Sequence, residues 1–236
     1  MQFLPKARRA VVLALLWLTC AFPAHCEEFG RFLDDVIAKW EGDGRTMELL
    51  ADLRFEAPAG EIWTARKGSK IDGASIPRPF WSMIGGPFEG QYRDASVIHD
   101  YYCDHHLKTW QATALVFYEG MRAKGVSESK ALTMYYAVYA FGPHWETKLT
   151  HRVSSSVTKG VTVATIERTR IENVEVAAHE VDLAKSIEAR LTKGEALSLK
   201  DIERMADDDR KSAKQLPVQT EIKMTTSKRV PNVEIK

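Results

Sequence analysis

The chain has 236 residues, 28% charged and 44% hydrophobic, enough apolar material for one full core or two small ones. That composition excludes collagenous, disulfide-rich and wholly disordered classes. Its 33 Lys and Arg side chains nearly cancel 32 Asp and Glu, so no long-range field points to nucleic acid or to an anionic membrane surface, and any partner has to be recognised locally.

Lys6, Arg8 and Arg9 precede an apolar run over residues 10–22 that stops at Pro23. A charged start and a short apolar centre form the pattern of a secretory signal peptide, and thirteen residues fall short of the about 20 needed to span a bilayer. Cleavage after Cys26 sets Ala24 and Cys26 at the small-residue positions. Residues 1–26 are therefore expected to be a signal peptide, and the mature chain to be exported, periplasmic or secreted, with no transmembrane span. Cys103 is then the one cysteine left, which excludes an internal disulfide.

Residues 29–40 carry apolar side chains at 29, 32, 33, 36, 37 and 40, a stripe that predicts a helix. Residues 47–56 and 61–67 read as strands joined by the turn Ala57-Pro58-Ala59-Gly60, a hairpin. The loop Asp72-Gly73-Ala74-Ser75-Ile76-Pro77 follows, and then three helical segments, about 92–106, 110–124 and 128–141. Thr109 and Ser127 are the expected caps of the last two, and Gly125 and Gly142-Pro143 their stops.

Every Phe, Tyr and Trp lies at or before Trp145, whereas residues 152–236 hold none and carry 30 charged side chains in 85. So charged a segment without aromatic rings offers little to bury. It is read as helices over 176–191 and 199–206, the second capped by Ser198, followed by a solvated tail from Asp207. The helix pair is either a loosely packed extension or an arm that docks a protein partner. The expected architecture is α+β. A signal peptide over 1–26 precedes a core domain over 27–151, in which a short β-hairpin sheet packs on a bundle of three helices. A charged helical C-terminal extension and disordered tail fill 152–236.

Two apparent motifs fail on one residue each. Residues 68–75 have the spacing of a phosphate-binding loop, but Ala74 stands where its Lys is needed, and His179-Glu180 lacks the second His of a zinc-protease helix, Leu183 taking its place. What remains is polar density within residues 94–106. His99 and Asp100 sit on adjacent faces of the helix expected over about 92–106, with Ser96, Cys103 and His106 on the stripe of His99. An imidazole titrates near working pH and suits a general base. Asp100 would hold a cation or water, and the preceding loop supplies Asp72 and Ser75. Against this stands the plain reading that a His-Asp pair satisfies buried polar groups and fixes a loop. Cys103 reads as a small buried hydrophobe, and the Tyr101, Tyr102, Tyr135, Tyr136 and Tyr139 rings as core.

Asp72-Gly73-Ala74-Ser75-Ile76-Pro77, Gly90-Gln91-Tyr92, the run from Ala95 to Tyr102, and Gly142-Pro143 with Trp145 together resemble a phage and bacterial family catalogued as domain of unknown function 1353, over about residues 45–148. The resemblance implies no established activity. A looser similarity to secreted phospholipases A2 rests on the order His99-Asp100 alone. The leading expectation is an exported hydrolase of a cell-envelope component, peptidoglycan or lipid, acting through His99, Asp100, Asp72 and Ser75, with Asp72 and Asp100 as ligands for a divalent cation such as calcium or zinc. Its rival is a non-catalytic, phage-derived structural or interaction protein in which the same residues are structural.

Overall fold

The computed structural model describes residues 28–73, 75–86, 88–157 and 160–229. The expected signal peptide, with Cys20 and Cys26, lies outside them. The architecture is α+β, with three small antiparallel sheets and a helical bundle. β1 (Arg31–Phe32), β4 (Leu53–Glu56) and β5 (Ile62–Ala65) form one sheet, and β2 (Ala38–Trp40), β3 (Met47–Leu49) and β6 (Lys70–Ile71) another. The β4–β5 pairing, with Phe55 opposite Trp63, is the hairpin expected across the Pro58 turn.

Residues 29–40 are not helical, and the cause is visible at both ends. Gly30 holds a positive φ of 80°, and a Cβ there would run into the Glu56 carbonyl, so the chain enters as an edge strand against β4. The Asp34 carboxylate then accepts a two-pronged bond from the Arg54 guanidinium, at 2.8 and 2.9 Å, and a third from the Arg54 backbone N–H. Three members of the supposed stripe, Leu33, Ile37 and Trp40, stay on the surface.

The helices follow the sequence closely. A short turn of helix, α1 (Trp81–Ile84), leads to α2 (Arg93–His105), α3 (Trp110–Ala123) and α4 (Glu128–Phe141). Thr109 Oγ1 and Ser127 Oγ accept the capping N–H bonds as expected. From Ala131 to Phe141 every residue of α4 is buried, which makes it the central helix. Two apolar clusters meet along α2. One joins the small sheets through Leu49, Phe55, Trp63, Ile71 and Ile98, and the other joins α3 and α4 through Phe117, Met121, Tyr135 and Tyr136.

The C-terminal part departs from helices and tail alone. α5 (Ala178–Thr192) and α6 (Leu199–Ser212) occur where helices were expected, but α6 runs on through Asp207, and a third sheet orders β7 (His144–Val157), β8 (Gly160–Glu172) and β9 (Gln219–Arg229). Residues 219–229, read as solvated tail, instead pair with β8 from Val161 to Ile171. Backbone ladder bonds hold this ribbon, and beyond Trp145, which anchors the start of β7 against Ile171, it forms without aromatic side chains. Both helices bury apolar stripes on the α4 cluster, Val181, Ala184 and Ile187 from one and Ile202 and Ala206 from the other. Among the described residues no helix is long and apolar enough to cross a membrane.

Candidate functional site

The loop after β6 folds onto α2, and Asp100 is the reason. Its carboxylate is 2% exposed. Oδ2 accepts the backbone N–H of Asp72 at 3.1 Å and of Gly73 at 3.0 Å, and Oδ1 accepts that of Ser75 at 3.2 Å. The Ser75 hydroxyl adds a further bond. Gly73, with φ 68°, supplies the left-handed residue that lets successive N–H groups converge on one anion. Burial pushes the Asp100 carboxyl up, and the Ser75 and Gly73 hydrogen bonds oppose that rise.

His99 leaves the same helix toward Phe117 and meets the Ser75–Asp100 group through the Cys103 thiol, which bonds Ser75. Its ring is 3% exposed and lies 4.9 Å from the Phe117 ring, with Cys103 Sγ 3.6 Å from Nε2. Burial lowers its pKa to about 3, so the imidazole is neutral at any ordinary pH. Cys103 is buried beside it, its thiol pushed up by desolvation. Four residues were expected to share one polar pocket. Asp100 gathers Asp72 and Ser75 through their backbones, while His99 is packed against an aromatic ring and a thiol.

The Asp72 side chain turns outward to Arg45, Oδ2 lying 3.4 Å from a guanidinium nitrogen. It lines a cleft of about 290 Å³ whose other walls are Trp40, Arg45, Trp81, Phe88 and Glu89. Sequence reasoning missed these five residues because they come from a strand end, two loops and a helix start that are far apart in the chain, and an aromatic side chain read in a line of sequence defaults to core. Each wall is pinned. Trp81 Nε1 donates to the Ile76 carbonyl at 3.0 Å, Tyr92 Oη to that of Gly86 at 2.7 Å and Arg93 Nε to that of Phe88 at 2.8 Å. Opposite them, the Asp43 carboxylate accepts the Thr46 hydroxyl and the backbone N–H groups of Thr46 and Arg45, which bring its pKa down to about 2 and set the turn that aims Arg45.

A metal has little to hold here. The Asp100 oxygens already face N–H donors, which occupy the positions a cation would take, and among the described residues no group of three His, Cys, Asp or Glu side chains could hold an ion. A larger groove, about 490 Å³, opens beside Trp110 and His144, but several of its polar groups are engaged. Arg210 donates to the Ala140, Gly142 and Glu172 carbonyls, Arg170 pairs with Glu172, and His144 stacks on Trp110 at 3.5 Å while bonding the Tyr139 carbonyl.

Residues 47–138 match the family model described as "Protein of unknown function (DUF1353)". This stretch belongs to that family. The DUF1353 segment contains both the clamped loop and the His99-Asp100 helix, whereas Trp40 and Arg45 of the cleft lie just ahead of it. The chain is also similar to two uncharacterized proteins of Sinorhizobium fredii (strain NBRC 101917 / NGR234). With y4jT it shares 39% identity over 178 residues, 73% of this chain and 53% of the relative, and with y4iH 46% over 104 residues, 44% of each. The chain spans about half the length of these curated relatives. The y4jT likeness is longer than the DUF1353 segment, so sequence outside that segment is shared as well. No solved structure matches the chain.

Proposed function

We propose that this protein is a non-catalytic binding protein in which the His99-Asp100 helix is structural and the clamped loop forms one wall of a ligand cleft. The observation that carries this reading is the state of Asp100, whose buried oxygens are spent on three backbone N–H groups of that loop. A carboxylate so engaged positions backbone, and a neutral, buried imidazole beside Phe117 has no path to a substrate. Asp72, Trp81, Phe88 and Glu89 then stand as a preformed recess with a few convergent polar groups, the usual form of a small-ligand site. Export from the cytoplasm belongs to the same proposal, on the basic residues ahead of the apolar run at 10–22.

Two variants separate this from the hydrolase expected of a His-Asp site. Asp100→Asn turns an amide toward backbone donors and should cost about 2–4 kcal/mol of stability by denaturant titration. His99→Gln should leave unchanged any ligand binding detected at the cleft. Turnover of peptidoglycan or lipid by the wild type, abolished by His99→Gln with the melting curve intact, would overturn the proposal.

A further inference from the structure

The same cleft indicates what class of molecule it takes. We propose that it binds a saccharide, a pyranose ring stacked on the Trp40 side with vicinal hydroxyls held by Arg45, Asp72 and Glu89; this rests on the reading of the cleft as a binding site.

The aromatic part comes first. Trp40 is 58% exposed, yet its indole is held edge-on against Phe88, ring centroids 5.9 Å apart, at the end of a paired strand. A large apolar ring fixed in place at a cleft mouth, and not withdrawn into the core, is a surface for stacking. Trp81 lies across the cleft with its indole N–H committed to Ile76 and its ring already faced by the Arg45 and Arg78 guanidinium groups, so it closes the wall opposite the stacking face.

The polar part narrows the ligand. Arg45 and Asp72 present a donor fork beside an acceptor at 3.4 Å, with the Glu89 carboxylate on the same rim. Arg45 Nε is buried without a hydrogen-bond partner, so the donor this guanidinium offers a ligand is its Nη fork beside Asp72. A lipid chain would strand that donor and the carboxylates against hydrocarbon. A phosphate would meet two carboxylates alongside the guanidinium. A quaternary ammonium would meet the Arg45 and Arg78 guanidinium groups, which already lie 5.9 and 6.0 Å from the Trp81 ring centroid. Adjacent hydroxyls on a neutral ring both donate and accept, and so satisfy a guanidinium and a carboxylate together, while the C–H face of the ring covers an indole.

The test is a protein-observed NMR titration of the full chain, following the indole N–H signals, with methyl glucoside, N-acetylglucosamine and its oligomers, and with tetramethylammonium, inorganic phosphate and hexanol as contrasting probes. The proposal expects saturable shifts of the Trp40 and Trp81 signals with a saccharide, and affinity weakened roughly tenfold in Trp40→Ala and in Arg45→Met. Trp40→Ala removes an exposed ring, and a melting curve matching the wild type's separates its loss of binding from a loss of structure. If the contrasting probes shift those indoles and no saccharide does, the saccharide assignment falls while the binding cleft stands. If nothing shifts them, both fall.

Discussion

His99 and Asp100 are chain neighbours with opposite environments, and their titration shows it. Burial holds the His99 pKa near 3 against an ordinary value of 6.5. Between those two values the unfolded chain takes up a proton that the folded chain refuses. The stability associated with His99 is therefore complete above pH 6.5 and is lost on acidification, at up to about 1.4 kcal/mol per pH unit. His99→Gln should flatten the acid side of a plot of unfolding free energy against pH; an unchanged slope would show that the imidazole accepts protons in the folded state. Asp104 shifts the other way, pushed up to about 7 by desolvation and by the charges of Asp100, Asp72 and Glu221. Its folded form keeps a proton that the unfolded chain has lost, so its contribution is present at low pH and disappears as pH rises through 7. Asp104 is exposed, so solvent screens much of this shift, and Asp104→Asn should stabilise the protein only slightly at pH 8 relative to pH 5; a larger gain at pH 5 would contradict the sign. The sequence placed polar residues on α2 correctly, but which of two adjacent side chains meets backbone donors and which meets Phe117 depends on how the loop and α3 pack, information that spacing does not hold.

At the scale of elements, α2, α3 and α4 were legible because their signals are local: Thr109 and Ser127 cap, Gly125 and Gly142 stop, and the apolar periodicity lies between. The ribbon β7–β8–β9 was not, since its strands are polar and charged and the missing aromatic residues argued against order, although β-branched residues recur through 161–171. What ties that ribbon to the bundle is also non-local. Arg210 on α6, 8% exposed, donates to the carbonyls of Ala140 at 2.8 Å, Gly142 at 3.1 Å and Glu172 at 3.0 Å, joining the end of α4 to β8. Those carbonyls are left by the end of a helix and the end of a strand, and Arg210→Met would strand them in a buried place. A loss of about 2–4 kcal/mol is expected in chemical denaturation; a loss under 0.5 kcal/mol would mean that water replaces the guanidinium at no cost.

For the molecule as a whole, the family segment ends in α4 but the burial of α4 does not. Tyr135 Oη donates to Glu203 at 2.9 Å and Tyr136 Oη to Asp209 at 2.6 Å, and the same helix is covered by Ile187, Ile202 and Ala206. A chain truncated after residue 151 would expose this aromatic face, so it should bind a hydrophobic dye and aggregate; a soluble, cooperatively melting fragment would show that α5 and α6 are accessory. Much of the charge of α5 and α6 thus resides on the outer faces of helices whose inner faces complete the core, and composition alone cannot separate one face from the other.

The most direct check on a structural role for the His-Asp pair is chemical access to His99. Diethylpyrocarbonate labelling of the native protein at neutral pH, read by peptide mass spectrometry, should modify exposed His105 and His179 while leaving His99 untouched until the protein is unfolded. Labelling of His99 at the rate of His179 would make it a solvent-reachable base and contradict the account.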